Sequence, residues 1–96
     1  MGFDGIKQRE ALEALERAIG AVIDSRYPRA IELLDKVEAL DGAGLFTEVT
    51  PPLRALTGHL SSGGDRTDQR TAELILETEK ALGPNPLSFK LSELGH

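Results

Sequence analysis

The sequence predicts an all-α protein, an antiparallel four-helix bundle or two packed helical hairpins, with room for a short fifth helix at the C-terminus. Three observations carry this. Four segments place apolar residues at steps of three and four, the period of one helix face. Proline and glycine clusters separate those segments. The aromatic content is thin, with Phe3, Tyr27, Phe46 and Phe89 and no Trp, so the core must be aliphatic, which suits interdigitating helices. At 96 residues the chain has room for one domain (1–96) and one core.

The first helix is expected over about 6–25. Ile6, Leu12, Leu15, Ile19 and Val22 form its stripe, with Ala11 and Ala18 beside them. Lys7, Arg9, Glu10, Glu13, Glu16 and Arg17 lie opposite, on a solvated face. Pro28 stops this helix and can open the next, because a first-turn proline sacrifices an amide that has no helical acceptor. The second helix, about 28–40, presents Ala30, Ile31, Leu34 and Val37, extended by Leu33 and Leu40. Asp41-Gly42-Ala43-Gly44 ends it.

Leu45, Phe46, Val49, Leu53, Leu56 and Leu60 continue at helical spacing. Pro51 and Pro52 cannot sit deep inside one helix. A cap at Thr50, a helix over about 51–61 and a separate helical turn over 45–49 are therefore expected. Ser61-Ser62-Gly63-Gly64 reads as the most flexible linker. Asp65 or Thr67 could then cap a fourth helix over 65–82, with Ala72, Ile75, Leu76 and Leu82 facing inward. Gly83-Pro84-Asn85-Pro86 ends it. The tail, 87–94, carries Leu87, Leu91 and Leu94 at helical spacing; Leu87, Phe89 and Leu91 also alternate, as an extended docking segment would.

Charge narrows the function classes. The formal net charge is -5, whereas a nucleic-acid binder gathers Lys and Arg on one face. Arg26 and Arg29 flanking Tyr27 are too few for a groove that tracks phosphates. There are no cysteines, which excludes disulfides and thiolate metal sites. No apolar run reaches the roughly 18 residues that a membrane span needs, and Met1 to Gly5 lacks the basic and apolar regions of a signal peptide. A cytoplasmic protein is expected. His59 and His96 do not fall in a metal-ligand spacing, and no cofactor motif is present. His59, near the end of the third helix, reads as a surface residue or a partner of the helix dipole.

Two resemblances follow from particular residues. Tyr27-Pro28-Arg29-Ala30-Ile31-Glu32-Leu33-Leu34-Asp35-Lys36-Val37 resembles the second helix of a tetratricopeptide repeat. In a second copy Ala72 would match Ala30 and Leu76 would match Leu34. Arg17 and Ala21 depart from that family's large apolar residues, and the period of 42 exceeds its usual length.

Asp65-Arg66-Thr67-Asp68-Gln69 has the Asp-x-x-x-Gln spacing of the chemotaxis phosphatase CheZ family, and Lys90 to Gly95 is similar to that family's regulator-binding tail. The resemblance implies Asp65 and Gln69 as catalytic residues acting on the phospho-aspartate of a response regulator. The amide would orient the attacking water, and Mg²⁺ would belong to the regulator rather than to this chain. Asp65 as a helix cap, with Asp68 complementing the dipole, explains the same acids without catalysis.

Weighed together, these signals favour a protein-interaction or regulatory module, binding a protein partner or a second copy of itself. Leu87, Phe89, Leu91 and Leu94 are the expected partner-facing residues. The phosphatase is the competing reading.

Overall fold

The computed structural model describes residues 2–42, 44–84 and 86–95; Ala43, Asn85 and His96, which the sequence places in two turns and at the end of the tail, lie outside them. Among these residues there are five α-helices and no strand: α1 (Gly2–Ile23), α2 (Tyr27–Leu40), α3 (Thr50–Ser61), α4 (Gln69–Leu82) and α5 (Pro86–Ser92), closed by a 3₁₀ turn, Glu93–Gly95. The helices α1 and α2 form one hairpin and α3 and α4 a second. The two join through α2 and α3, and α5 folds back to touch both α4 and α1.

Small residues set how closely α1 meets α2. Ala11, Ala14, Ala18 and Ala21 of α1 are buried, as is Ala30 of α2, around the larger Leu15, Ile19, Val22, Leu34 and Val37. Alanine at a crossing lets the helix axes approach, and the larger neighbours then fill the flanks. Two expected members of the α1 stripe stay outside this core. Ile6 is 58% exposed and Leu12 45% exposed, because the buried arc of α1 is centred on the alanines and Leu12 falls on its edge.

Helix α1 ends in a Schellman turn. The Arg26 N–H donates to the Ala21 carbonyl at 2.7 Å, the Ser25 N–H to Val22 at 3.1 Å, and Ser25 takes the left-handed conformation (φ 64°) that usually falls to glycine. At the end of α2, Asp41 ties three segments together. Its carboxylate accepts from the Gln8 side chain at 3.1 Å, from the Leu45 N–H at 2.9 Å and from the Phe46 N–H at 2.8 Å. Burial pushes this carboxyl up, but the bonds from Phe46, Gln8, Leu45 and Gly44 outweigh it and hold the group below its ordinary value. The 45–49 segment is thereby fixed as the expected turn under α3, with Val49 buried.

Helix α3 begins at Thr50, one residue before its prolines, with Val49 in the cap position and no side-chain cap. Thr50 is buried rather than capping. Helix α4 departs further from expectation. Its buried face is Thr71, Leu74, Ile75 and Thr78, while Ala72 is exposed and Leu76 is 51% exposed. Threonines can take inner positions because the helix satisfies their hydroxyls: Thr78 Oγ1 donates to the Leu74 carbonyl at 2.8 Å, as Thr57 does to Leu53 in α3. The methyl then packs as a small apolar group. This shift also separates the two tetratricopeptide-like copies, since Ala30 and Leu34 are buried where Ala72 and Leu76 face out.

Candidate functional sites

The two residues of the Asp-x-x-x-Gln motif fall on either side of the start of α4, in different environments. Asp65 lies before the helix. Its Oδ1 accepts from the Thr67 N–H and the Thr67 hydroxyl, both at 2.9 Å, and these bonds lower its carboxyl's pKa. Gln69 is the first residue of α4, exposed, with its amide 3.4 Å from Glu73. The expected helix over 65–82 would have put both on one face; the observed start at Gln69 does not.

The reason is Asp68, which caps α4 in place of Asp65 or Thr67. Its Oδ1 accepts from the Thr71 N–H at 2.7 Å, and its Oδ2 from the Asp65 N–H at 3.0 Å and from His59 Nε2 at 2.9 Å. A cap that also gathers the loop backbone and a side chain from α3 outcompetes one that satisfies a single amide. Thr71 completes the cluster by donating its hydroxyl to the Asp65 carbonyl at 2.6 Å. Gly64 is what lets the loop approach α3 so closely. A Cβ there would lie 2.7 Å from the His59 carbonyl, against backbone that cannot move aside.

The cluster has a defined response to acid. The Thr71 N–H, with His59 and Asp65 N–H, holds the Asp68 carboxyl far below the usual carboxylate range despite an opposing effect of desolvation. A group whose folded pKa is depressed stabilises the fold above its unfolded pKa, and that contribution is lost as pH falls towards the folded value. Stability is therefore expected to decline below about pH 4, with Asp65 and Asp41 acting in the same sense. Asp68→Asn keeps a good cap but removes the charge, so its melting temperature should depend less on pH in that range. Asp68→Ala should be less stable than Asp68→Asn at neutral pH. Melting curves from pH 2 to 7 check both.

The four tail residues divide. Leu91 and Leu94 are 0% and 2% exposed in the chain's own core, which removes them from any partner-facing role: their spacing turns them both inward once α5 folds back on α1 and α4. Leu87 is half-buried, and Phe89 is 74% exposed. The Ser88 hydroxyl fastens the start of α5 by donating to the Gly83 carbonyl at 2.6 Å.

Leu87 instead forms part of an apolar groove of about 370 Å³. Leu12 and Glu16 of α1 form one wall, and Leu45 and Phe46 of the turn after α2 another. Val49, Ala81 and Leu82 at the end of α4, and Pro86 and Leu87 of α5 also line it. Leu45 is 65% exposed at its rim. The sequence signal for this groove was weak, since Leu12 sits in a stripe that elsewhere is core, and its other walls are brought in from far along the chain.

Among the described residues there is no group of three or more His, Asp or Glu side chains arranged to hold a metal ion, and no helix is long and apolar enough to cross a membrane. No protein-family model, curated protein or solved structure matches this chain.

Proposed function

We propose that the chain is a protein-interaction module, and that its docking face is the groove between α1, the 45–49 turn and the α4–α5 corner. The observation that carries this reading is the concentration of apolar side chains around one open concavity, with Leu12 and Leu45 left substantially in water. Covering such surface is favourable by roughly 25 cal/mol per Å², and a concave apolar face rimmed by polar residues is the usual seat of an amphipathic helix. Among the described residues Glu16 is the one charged side chain lining the groove, and the chain carries net charge -5. Both favour a partner segment with a leucine ridge and a flanking Lys or Arg over a second copy of the same acidic chain.

The chain has no Trp, so a Leu/Lys-rich amphipathic peptide carrying one Trp on its apolar face gives an unobstructed fluorescence signal. Saturable binding with a blue shift is expected, and Leu45→Asp should weaken it about tenfold or more, the loss of roughly one buried leucine. The fold should survive, since the Leu45 side chain is exposed. Peptide binding that Leu45→Asp leaves unchanged would move the docking face elsewhere. A concentration-dependent dimer that Leu45→Asp abolishes would give the groove to a second copy.

The competing reading, a phosphatase acting on a response regulator through Asp65 and Gln69, has less support. Its two side chains need one helix face, and Asp65 is engaged with Thr67 off the helix.

A further inference from the structure

On the other flank of α1 from Leu12 lies a second concavity, of about 270 Å³, with opposite character. Arg17 of α1 and Arg26 and Arg29 of the α2 start line it with Gly20, Ala21 and Leu33, and among the described residues Asp24 is the one acid lining it. Arg17, Arg26 and Arg29 are all exposed. Among the described residues only Arg29 of the three is in an ion pair, with Glu32 at 3.1 Å and open to solvent on both sides. A fourth cation stands close by: the Lys90 Nζ of α5 lies 3.7 Å from where a Cβ on Gly20 would be. The first turn of α2 contains no acidic residue, and Arg26 gives it no side-chain cap, so the positive end of that helix adds to the same field.

We infer that this concavity binds a phosphoryl group carried on a side chain of a partner protein. The three lining arginines and Lys90, against Asp24 and the Glu32 paired with Arg29, leave a local charge of +2 in a chain of net charge -5, which matches the roughly -1.5 to -2 of a phosphorylated side chain. Guanidinium forks arriving from two helices suit a tetrahedral group with three acceptor oxygens better than a planar carboxylate. The concavity is open to solvent and its arginines are exposed, so a side chain carried on another protein can reach them. The site is independent of the apolar groove and does not require it to be occupied.

Fluorescence anisotropy with a labelled, otherwise neutral peptide tests this, in phosphoserine and serine forms at low ionic strength, with inorganic phosphate as competitor. The phosphoserine form should bind at least about tenfold more tightly, as expected for loss of charge-assisted hydrogen bonds in the serine form. Phosphate should compete. Arg17→Ala and Arg26→Ala, each confirmed folded by circular dichroism, should each weaken binding several-fold, and Arg9→Ala, an equal change of charge elsewhere on α1, should leave it unchanged. Equal affinity for the two peptides overturns the inference. So does an equal loss in Arg9→Ala, which would mean diffuse attraction, or binding of inorganic phosphate without the phosphopeptide, which would give the site to a free small anion.

Discussion

Leu91→Ala is expected to lower the stability of the whole domain by about 2–5 kcal/mol, a large share of the roughly 5–15 kcal/mol that holds a domain of this size together. Leu91 lies in the tail, where a leucine-rich terminus reads equally well as a docking peptide. Its side chain is 0% exposed, packed where α5 meets α1 and α4, so truncation leaves a void that three helices line. A helix as short as Pro86–Ser92 has little stability of its own and can relax into the space, which favours the lower half of the range. Even so, a loss of about 2 kcal/mol corresponds to roughly 8–16 °C in melting temperature. Phe89→Ala, about half a helical turn away on the exposed side, should change it little. If both variants melt like the parent, α5 is not part of the core in solution, and the tail returns to being a candidate docking segment.

How much of this was legible in the sequence follows the range of the interactions. The four principal helices and the short fifth were readable because periodic leucines and intervening Pro and Gly act locally. Leu15, Ile19, Leu34, Leu53 and Leu56 are buried as their spacing required. The face of α4 was not readable by the same rule. Thr71 and Thr78 look polar in sequence, and only the bonds to Asp65 and Leu74 make them acceptable inside, so counting aliphatic residues rotated the stripe towards Ala72 and Leu76. The cap of α4 was misplaced for a related reason. Asp65, Thr67 and Asp68 are all acceptable caps by type, and the choice is made by His59, which approaches from α3 and has no sequence relation to the motif. The same limit hid the groove and the arginine concavity, each assembled from elements that the loops bring together.

The ion pairs that join α2 to α3 illustrate how such long-range contacts should be weighed. Arg54 reaches both Asp35 and Glu38 at 2.9 Å, yet the acids are 65% and 52% exposed. Water and salt compete for all three groups, and pairs of this kind contribute about 1 kcal/mol or less. Their role is to favour one rotation of α3 against α2 rather than to hold the hairpins together, which the buried leucines do.

Arg66 belongs to a different class, and Arg66→Ala is expected to cost about 1–3 kcal/mol. From the α3–α4 loop its guanidinium donates to the Val22 carbonyl at 3.3 Å, to the Ile23 carbonyl, and to Ser25 Oγ at 2.7 Å. Val22 and Ile23 lie in the last turn of α1, where carbonyls run out of helical partners and the dipole is negative, so a fixed cation there completes the hydrogen bonding and the charge together. It also bears on a strained point, because Ser25 holds a left-handed conformation that a non-glycine residue adopts at a cost of roughly 1–2 kcal/mol. Arg66 is half-buried, so solvent recovers part of the lost bonding and the cost stays below that of a fully enclosed ion. All three acceptors face one nitrogen, Nη2, and an ammonium also offers three donors at one point, so Arg66→Lys should recover part of the loss. Urea unfolding should show a lower midpoint with an unchanged slope, and amide exchange should accelerate first at Ser25 and Arg26, whose bonds close the Schellman turn. A midpoint that does not move would mean that the turn holds itself, leaving the loop bound to α4 through Asp68 and Thr71 alone.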